Sequence, residues 1–221
     1  MKGIMLKDFY EAFVIKKNFI QFLAIILINI AMVLIMRDNF GFAMLTMFLM
    51  PFWGNGLISI TRECDTVSDF DTYQLVYPLT KKEILLSKYI IGILSQMFLC
   101  IVYFLFLLIY VYVYKAVVFS DAIKIWETGS VISFLYLSIS YILFFSLGSK
   151  KGMIVSMFLV IVGILFYTMH QLYIIDQFEA NKAFLGYINS PAILLLSIII
   201  SVLAVIASYF LSVKIYTKKH S

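Results

Sequence analysis

Charge is what this sequence has least of. Charged residues fill 13% of its 221 positions and the mean hydropathy is +1.02, where a soluble domain carries about a quarter charged residues. A soluble globular domain is therefore excluded. Alternating segments of about ten residues, the mark of a membrane β-barrel, are missing too. Cysteine is nearly absent: Cys64 and Cys100 lie on opposite sides of a span boundary and support neither a disulfide framework nor a zinc site. Of the two histidines, His170 falls at the outer end of the fifth apolar run and reads as a headgroup contact, and His220 belongs to a basic tail. No HExxH, GxSG or paired Glu-Glu motif occurs on a span, so no catalytic residue and no metal site is expected. The nearest approach to a phosphate loop, Gly148-Ser149-Lys150-Lys151-Gly152, lacks the GxxxxGK[ST] spacing. This chain is not expected to hydrolyse ATP or to hold a cofactor. No small-residue cleavage site follows the first apolar run, so no cleavable signal peptide is expected.

What remains is apolar and continuous. Runs near or beyond about 20 residues define an all-α polytopic membrane protein, read as a single transmembrane domain over 1–221. Six spans are expected at about 19–36, 40–60, 89–114, 131–149, 152–172 and 191–213. Residues 1–18 are amphipathic: Met5, Phe9, Ala12 and Phe13 share one helical face, while Lys7, Asp8, Glu11 and Lys17 favour the others. That pattern suits an elbow helix lying in the headgroup layer. With the amino terminus inside, thirteen of the 17 lysines and arginines fall on inner segments and four on outer ones. The positive-inside rule then places both termini and the 61–88 loop in the cytosol.

Within the six expected spans there is no Asp, Glu, Lys or Arg. Ion-coupled carriers generally need such a group inside the bilayer, so energy for any transport is expected from another subunit. Pro51, Gly54 and Gly56 break the second span and read either as a hinge or as a helix-packing site. Ser197, Ser201, Ala204, Ser208 and Ser212 line one face of the last span, which reads as a packing face. Asn29, Asn55, Gln96 and Tyr103 are polar groups deep in the apolar runs, and they are candidates for lining a path.

The single long polar passage is Arg62–Tyr89. Glu63, Asp65, Asp69 and Asp71 open it, Phe70, Tyr73 and Leu75 supply apolar anchors, and Lys81, Lys82 and Lys88 close it. Acidic groups around aromatic anchors suit docking into a basic groove of a soluble partner. The same carboxylates could instead favour a helix amino terminus, and both roles are compatible. They lack the spacing of a calcium loop.

These residues carry a resemblance. The opening Met1-Lys2-Gly3, with Lys7-Asp8-Phe9-Tyr10, then Glu63, then Tyr77-Pro78-Leu79-Thr80-Lys81-Lys82-Glu83-Ile84 and Ser87-Lys88-Tyr89, resemble the permease subunits of ABC-2-type transporters, the nearest likeness being exporters of phenol-soluble modulins and antimicrobial peptides. Tyr77 and Lys81 depart from the family's usual Leu and Arg. The resemblance implies an amino-terminal elbow helix and a coupling helix within 64–77 that docks on a separate ATPase, where ATP and magnesium would bind. It also implies a second permease, identical or homologous, in the plasma membrane. The implied function is export of an amphipathic or hydrophobic cargo such as a cytolytic peptide, an antibiotic or a lipid-like molecule. Nucleic acid is not an expected partner; membrane lipid is. A non-transporting immunity, sensor or assembly subunit would use 61–88 only as a docking loop.

Overall fold

The chain folds into helices because a backbone in lipid must satisfy its own hydrogen bonds. The computed structural model describes residues 2–74, 79–176 and 191–219, with the side chains of 71–72, 166–167, 169–176 and 191–194 excepted, and no strand occurs among them. A short α1 (Lys2–Phe13) turns at Val14 and Ile15 into α2 (Lys16–Ile35). The next helix is α3 (Asn39–Val67), which starts where the Asp38 carboxylate accepts the Gly41 N–H at 2.8 Å. A four-residue α4 (Phe70–Tyr73) precedes α5 (Lys81–Val113), α6 (Phe119–Leu147), α7 (Ser149–Asp176) and α8 (Pro191–Lys219). Among the described residues, five segments are long and apolar enough to cross a membrane: α2, α3, α5, α6 and Leu195–Lys219 of α8.

The helices overrun the apolar runs that announced them. α3 continues to Val67 rather than ending near 60, α5 begins at Lys81 rather than 89, and α6 begins at Phe119 rather than 131. Local chemistry sets these ends, not hydropathy. Thr80 and Glu83 form a capping box, with the Thr80 hydroxyl accepting the Glu83 N–H and the Glu83 carboxylate accepting the Thr80 N–H, which starts α5 well before its apolar face. The outer residues expected in a loop, including Asp121, Lys124 and Glu127, form the first turns of α6. There Lys124 pairs with Asp121 at 3.3 Å and the Trp126 indole donates to the Cys100 carbonyl at 3.0 Å.

α3 is irregular in its middle. A wide π-turn covers Leu45–Leu49 just before Pro51, whose missing N–H leaves the ladder one donor short. The helix then restarts at Asn55, whose side-chain amide donates to the Pro51 carbonyl at 3.0 Å. Between α6 and α7 the chain reverses in one residue: Gly148 takes φ +84°, a left-handed conformation that costs glycine little.

Two clusters hold the bundle. Toward the turns at 36–38 and 114–118, Phe42, Leu45, Met50, Tyr103, Leu107 and Tyr110 pack together. Toward the opposite end, where α1, α4, the α6–α7 turn and the end of α8 gather, the cluster is Ile58, Leu85, Tyr89, Tyr141, Phe144, Phe145 and Tyr216. Lipid is as apolar as leucine, so the contacts between helices need small residues and hydrogen bonds. The last helix supplies both, with Ser201, Ser208 and Ser212 buried. Tyr89 shares hydrogen bonds with Ser208 and Ser212 at 2.7 and 2.9 Å, and Ser208 donates to the Ser138 carbonyl at 2.7 Å. That face packs rather than lines a groove.

Gly129 of α6 lies against the π-turn of α3: a Cβ there would sit 2.7 Å from the Thr46 carbonyl oxygen. Because that neighbour is backbone, Gly129→Leu should force α3 and α6 apart. The expected cost is about 1–3 kcal/mol or more, read as a lowered melting temperature of the detergent-purified chain. Gly3→Leu, with open space around it, should leave that temperature unchanged.

Candidate functional site

Six charged residues, Lys7, Asp8, Glu11, Arg62, Asp65 and Lys88, gather at one place. Asp65, at the end of α3, is fully buried and holds two ammonium groups, Lys7 of α1 and Lys88 of α5, each 2.5 Å from one of its carboxylate oxygens. Around this core, Lys7 also reaches Glu11 at 2.9 Å, Lys88 reaches Asp8 at 3.5 Å, and Arg62 reaches Asp65 at 3.5 Å. Three cations face three carboxylates, so the cluster is neutral, as a buried ion group must be. The Arg62 guanidinium also lies over the Phe145 ring at 4.9 Å, and Lys7 lies over Phe70 at 4.0 Å. Oxygens of Asp8, Glu11 and Asp65 converge within 4.8 Å, a spacing that could hold a cation. Two lysine ammonium groups already neutralise Asp65.

This arrangement revises the reading of α1. Lys7, Asp8 and Glu11 were expected on the water-facing sector of an interfacial helix. Instead Asp8 and Glu11 are buried beside Ile4 and Ala12 on one face, while Leu6, Phe9 and Tyr10 are exposed. A helical face with period 3.6 can be polar because it meets other charges rather than water. Burial holds the carboxyls of Asp8 and Glu11 above the usual carboxylate range, more than the neighbouring lysines pull them down. Burial alone would depress Lys7, but the carboxylates of Asp65 and Glu11 hold it above the ordinary lysine value.

The segment beyond Asp65 is fastened on every side. Thr66 meets Ser149 of α7 at 3.2 Å, and Gln74 donates to the Tyr216 hydroxyl of α8 at 2.8 Å. Asn18 of α2 reaches the Cys64 sulfur at 3.7 Å. The tip between these ties projects. Asp69 sits in the left-handed region at φ 51°, turning α3 into α4. Val67 is 81% exposed and Tyr73 is 64% exposed.

The residues expected to meet a partner therefore divide. Glu63, Asp69 and Tyr73 are exposed, Phe70 is half-buried under Lys7, and Asp65 is inside. Asp65 cannot offer charge to a partner's groove, because Lys7 and Lys88 already neutralise it. Leu75 and the side chain of Asp71 lie outside the described residues, as do the side chains of His170 and His220. Val67 was missed, for an isolated valine at the end of an amphipathic helix carries no signal by itself. Lys88 and Lys7 were missed as partners of Asp65 because only the tertiary fold brings them together.

The deep polar groups satisfy one another in part. Tyr103 donates to Asn29 at 2.6 Å, both buried, and Gln96 bonds Ser133. The oxygens of Gln96 and Asn55 are buried with no partner among the described residues. Gly54 lies directly against the Gln96 amide, whereas Gly56 faces open space. Close approach thus accounts for Gly54.

A family model of the ABC-2 family transporter protein matches residues 3–217. The chain belongs to that family. No curated protein and no solved structure matches it. An ABC-2 permease is the membrane subunit of an ABC system, typically without catalysis of its own and working with an ATPase. In this ABC-2 permease, the ion cluster is where α1, α3 and α5 share charge.

Removing one partner of a buried ion pair strands the other, at a cost of about 3–5 kcal/mol. Asp65→Asn should therefore lower the melting temperature of the purified chain sharply, or abolish its recovery. Asp8→Asn should not, since burial already disfavours the Asp8 carboxylate. An acid whose folded pKa is raised opposes folding once ionised. The Asp8→Asn variant should accordingly match or exceed the wild type at pH 7, and the difference should close as pH falls below the ordinary carboxylate range.

Proposed function

We propose that this chain is the permease subunit of an ATP-driven exporter that docks a separate ATPase on the tip formed by Val67–Tyr73. Six spans (α7, at 28 residues, being the sixth), an elbow helix α1 and both termini in the cytosol complete the arrangement. The observation that carries this reading is the contrast at one segment: its base is tied by polar contacts to α1, α2, α5, α7 and α8, while its tip leaves Val67, Asp69 and Tyr73 exposed. A protruding loop with apolar anchors and a polar rim has the make-up of a docking surface. Its rigid base would pass any displacement of the tip into the bundle. The lysines and arginines on this end favour the cytosolic face by the positive-inside rule, where a soluble ATPase would reach it.

A second permease, identical or homologous, would complete the pathway in the plasma membrane. The described spans hold no Asp, Glu, Lys or Arg deep in the apolar zone, and the polar side chains there include Asn29, Gln96, Tyr103 and Ser133. Such an interior favours an amphipathic or hydrophobic cargo, such as a cytolytic peptide, an antibiotic or a lipid-like molecule, over an ion or a sugar.

The test is copurification of the ATPase with tagged permease from the native host, beside efflux of added amphipathic peptide. Val67→Asp combined with Tyr73→Ala should lower both by at least about tenfold, the loss expected when hot-spot anchors costing about 2 kcal/mol are removed. Val118→Asp, exposed at the opposite end, should change neither. Full ATPase recovery with the tip variant would overturn the docking assignment. Full ATPase recovery by wild type without any efflux would favour a non-transporting subunit.

A further inference from the structure

An open apolar cleft of about 550 Å³ lies between α1, α2, α3 and α5, within the range of about 300–1,000 Å³ typical of small-ligand sites. Its walls are Phe9 and Phe13 of α1, Trp53 and Leu57 of α3, and Leu94 and Phe98 of α5. None of these contributes to either core cluster. We propose that this cleft seats one acyl chain of a phospholipid drawn from the leaflet at the basic end of the bundle, a site distinct from the tip that would meet the ATPase.

Three observations select a lipid over other occupants. The lining is apolar apart from Trp53 and Ser95, and the buried Trp53 indole N–H has no acceptor among the described residues. An ester-linked acyl chain brings a carbonyl that can accept it, which a plain hydrocarbon side chain does not. Lys16 and Lys17, three and four residues after lining residue Phe13, open α2 and are exposed; Lys17 forms a surface pair with Glu63 at 3.5 Å, and Lys16 puts cationic charge where a phosphate headgroup would sit. Finally, the cleft has a vacancy built into its wall. Gly56 lines it, and a Cβ at Gly56 would meet no atom within 4 Å. A thin, flexible chain fills such a slot; a flat helix face from a second copy does not.

Gly56 also provides the test, since a Cβ there meets no protein atom within 4 Å and a larger side chain extends into the cleft. The full chain, purified in mild detergent and exchanged to strip loosely held lipid, is weighed intact by native mass spectrometry with phosphatidylglycerol as the added probe. Wild type should retain one phospholipid per chain. Gly56→Phe should retain at least tenfold less at the same lipid concentration, and so should Leu94→Trp on the facing wall. Leu203→Trp, on the exposed surface of α8, should retain as much as wild type. The proposal is overturned by any of three results: no retained lipid on wild type, equal retention by both filled variants, or a cleft occupied by a second chain or a peptide. A variant that fails to melt cooperatively is replaced by the other filled variant.

Discussion

Asp65 is the constraint on which the rest depends. A carboxylate buried at the end of a membrane helix is unaffordable without cations, and Asp65 finds two at 2.5 Å from different helices. Those partners fix α1 under the bundle, fix the start of α5 against the end of α3, and leave the intervening chain to emerge from a rigid base. The neighbouring pairs through Asp8, Glu11 and Arg62 extend the same cluster without adding net charge. Ion groups of this kind are weak sources of stability, but they specify which surfaces meet. Here they bring α1, the end of α3 and the start of α5 together as one unit.

That unit has hydrogen-bonded outriggers. Gln74 to Tyr216 and Thr66 to Ser149 join it to the last helix and to α7. Tyr141 donates to the Lys88 carbonyl at 2.6 Å, so α6 grips the same turn of α5 that carries the lysine. The opposite half of the bundle is held differently, by Tyr103 to Asn29 and by Tyr110 to the Met36 carbonyl. Between the two halves lies the π-turn and restart of α3 at Leu45–Asn55, the least regular stretch of an otherwise continuous helix. Motion delivered at the tip would pass through a stiff base and reach this irregular stretch before the far half.

Much of the architecture was legible in the sequence, and what was not has identifiable causes. Long uncharged runs located the membrane helices, because lipid forbids anything else there. Their ends were misplaced, because helices continue through water when caps such as Thr80 and Glu83 sustain them. The amphipathic character of α1 was legible, but what its charged face meets was not: that face packs against Asp65 and Lys88 rather than water, while Phe9 of the apolar face is exposed. Hydropathy reports that two faces differ, never which is inside. Likewise Asp65 looked like one of four equivalent acidic residues, and only its distance to two lysines, one 58 and one 23 positions away, separates it from Glu63 and Asp69. Family membership was carried by the Tyr77–Tyr89 passage, since it holds function-specific polar residues where the spans hold interchangeable apolar ones.

The ion cluster makes α1 and the end of α3, which carries the tip, move as one body. Pulsed electron paramagnetic resonance measures this directly, with nitroxides at the exposed positions Tyr10 and Glu63, the latter outside the tip, in a chain whose two native cysteines are replaced by serine, assembled with its ATPase. The expected result is the same Tyr10–Glu63 distance distribution before and after ATP is added, while the distances from each to a label at Val118 change together. A Tyr10–Glu63 distance that shifts on ATP binding would contradict it.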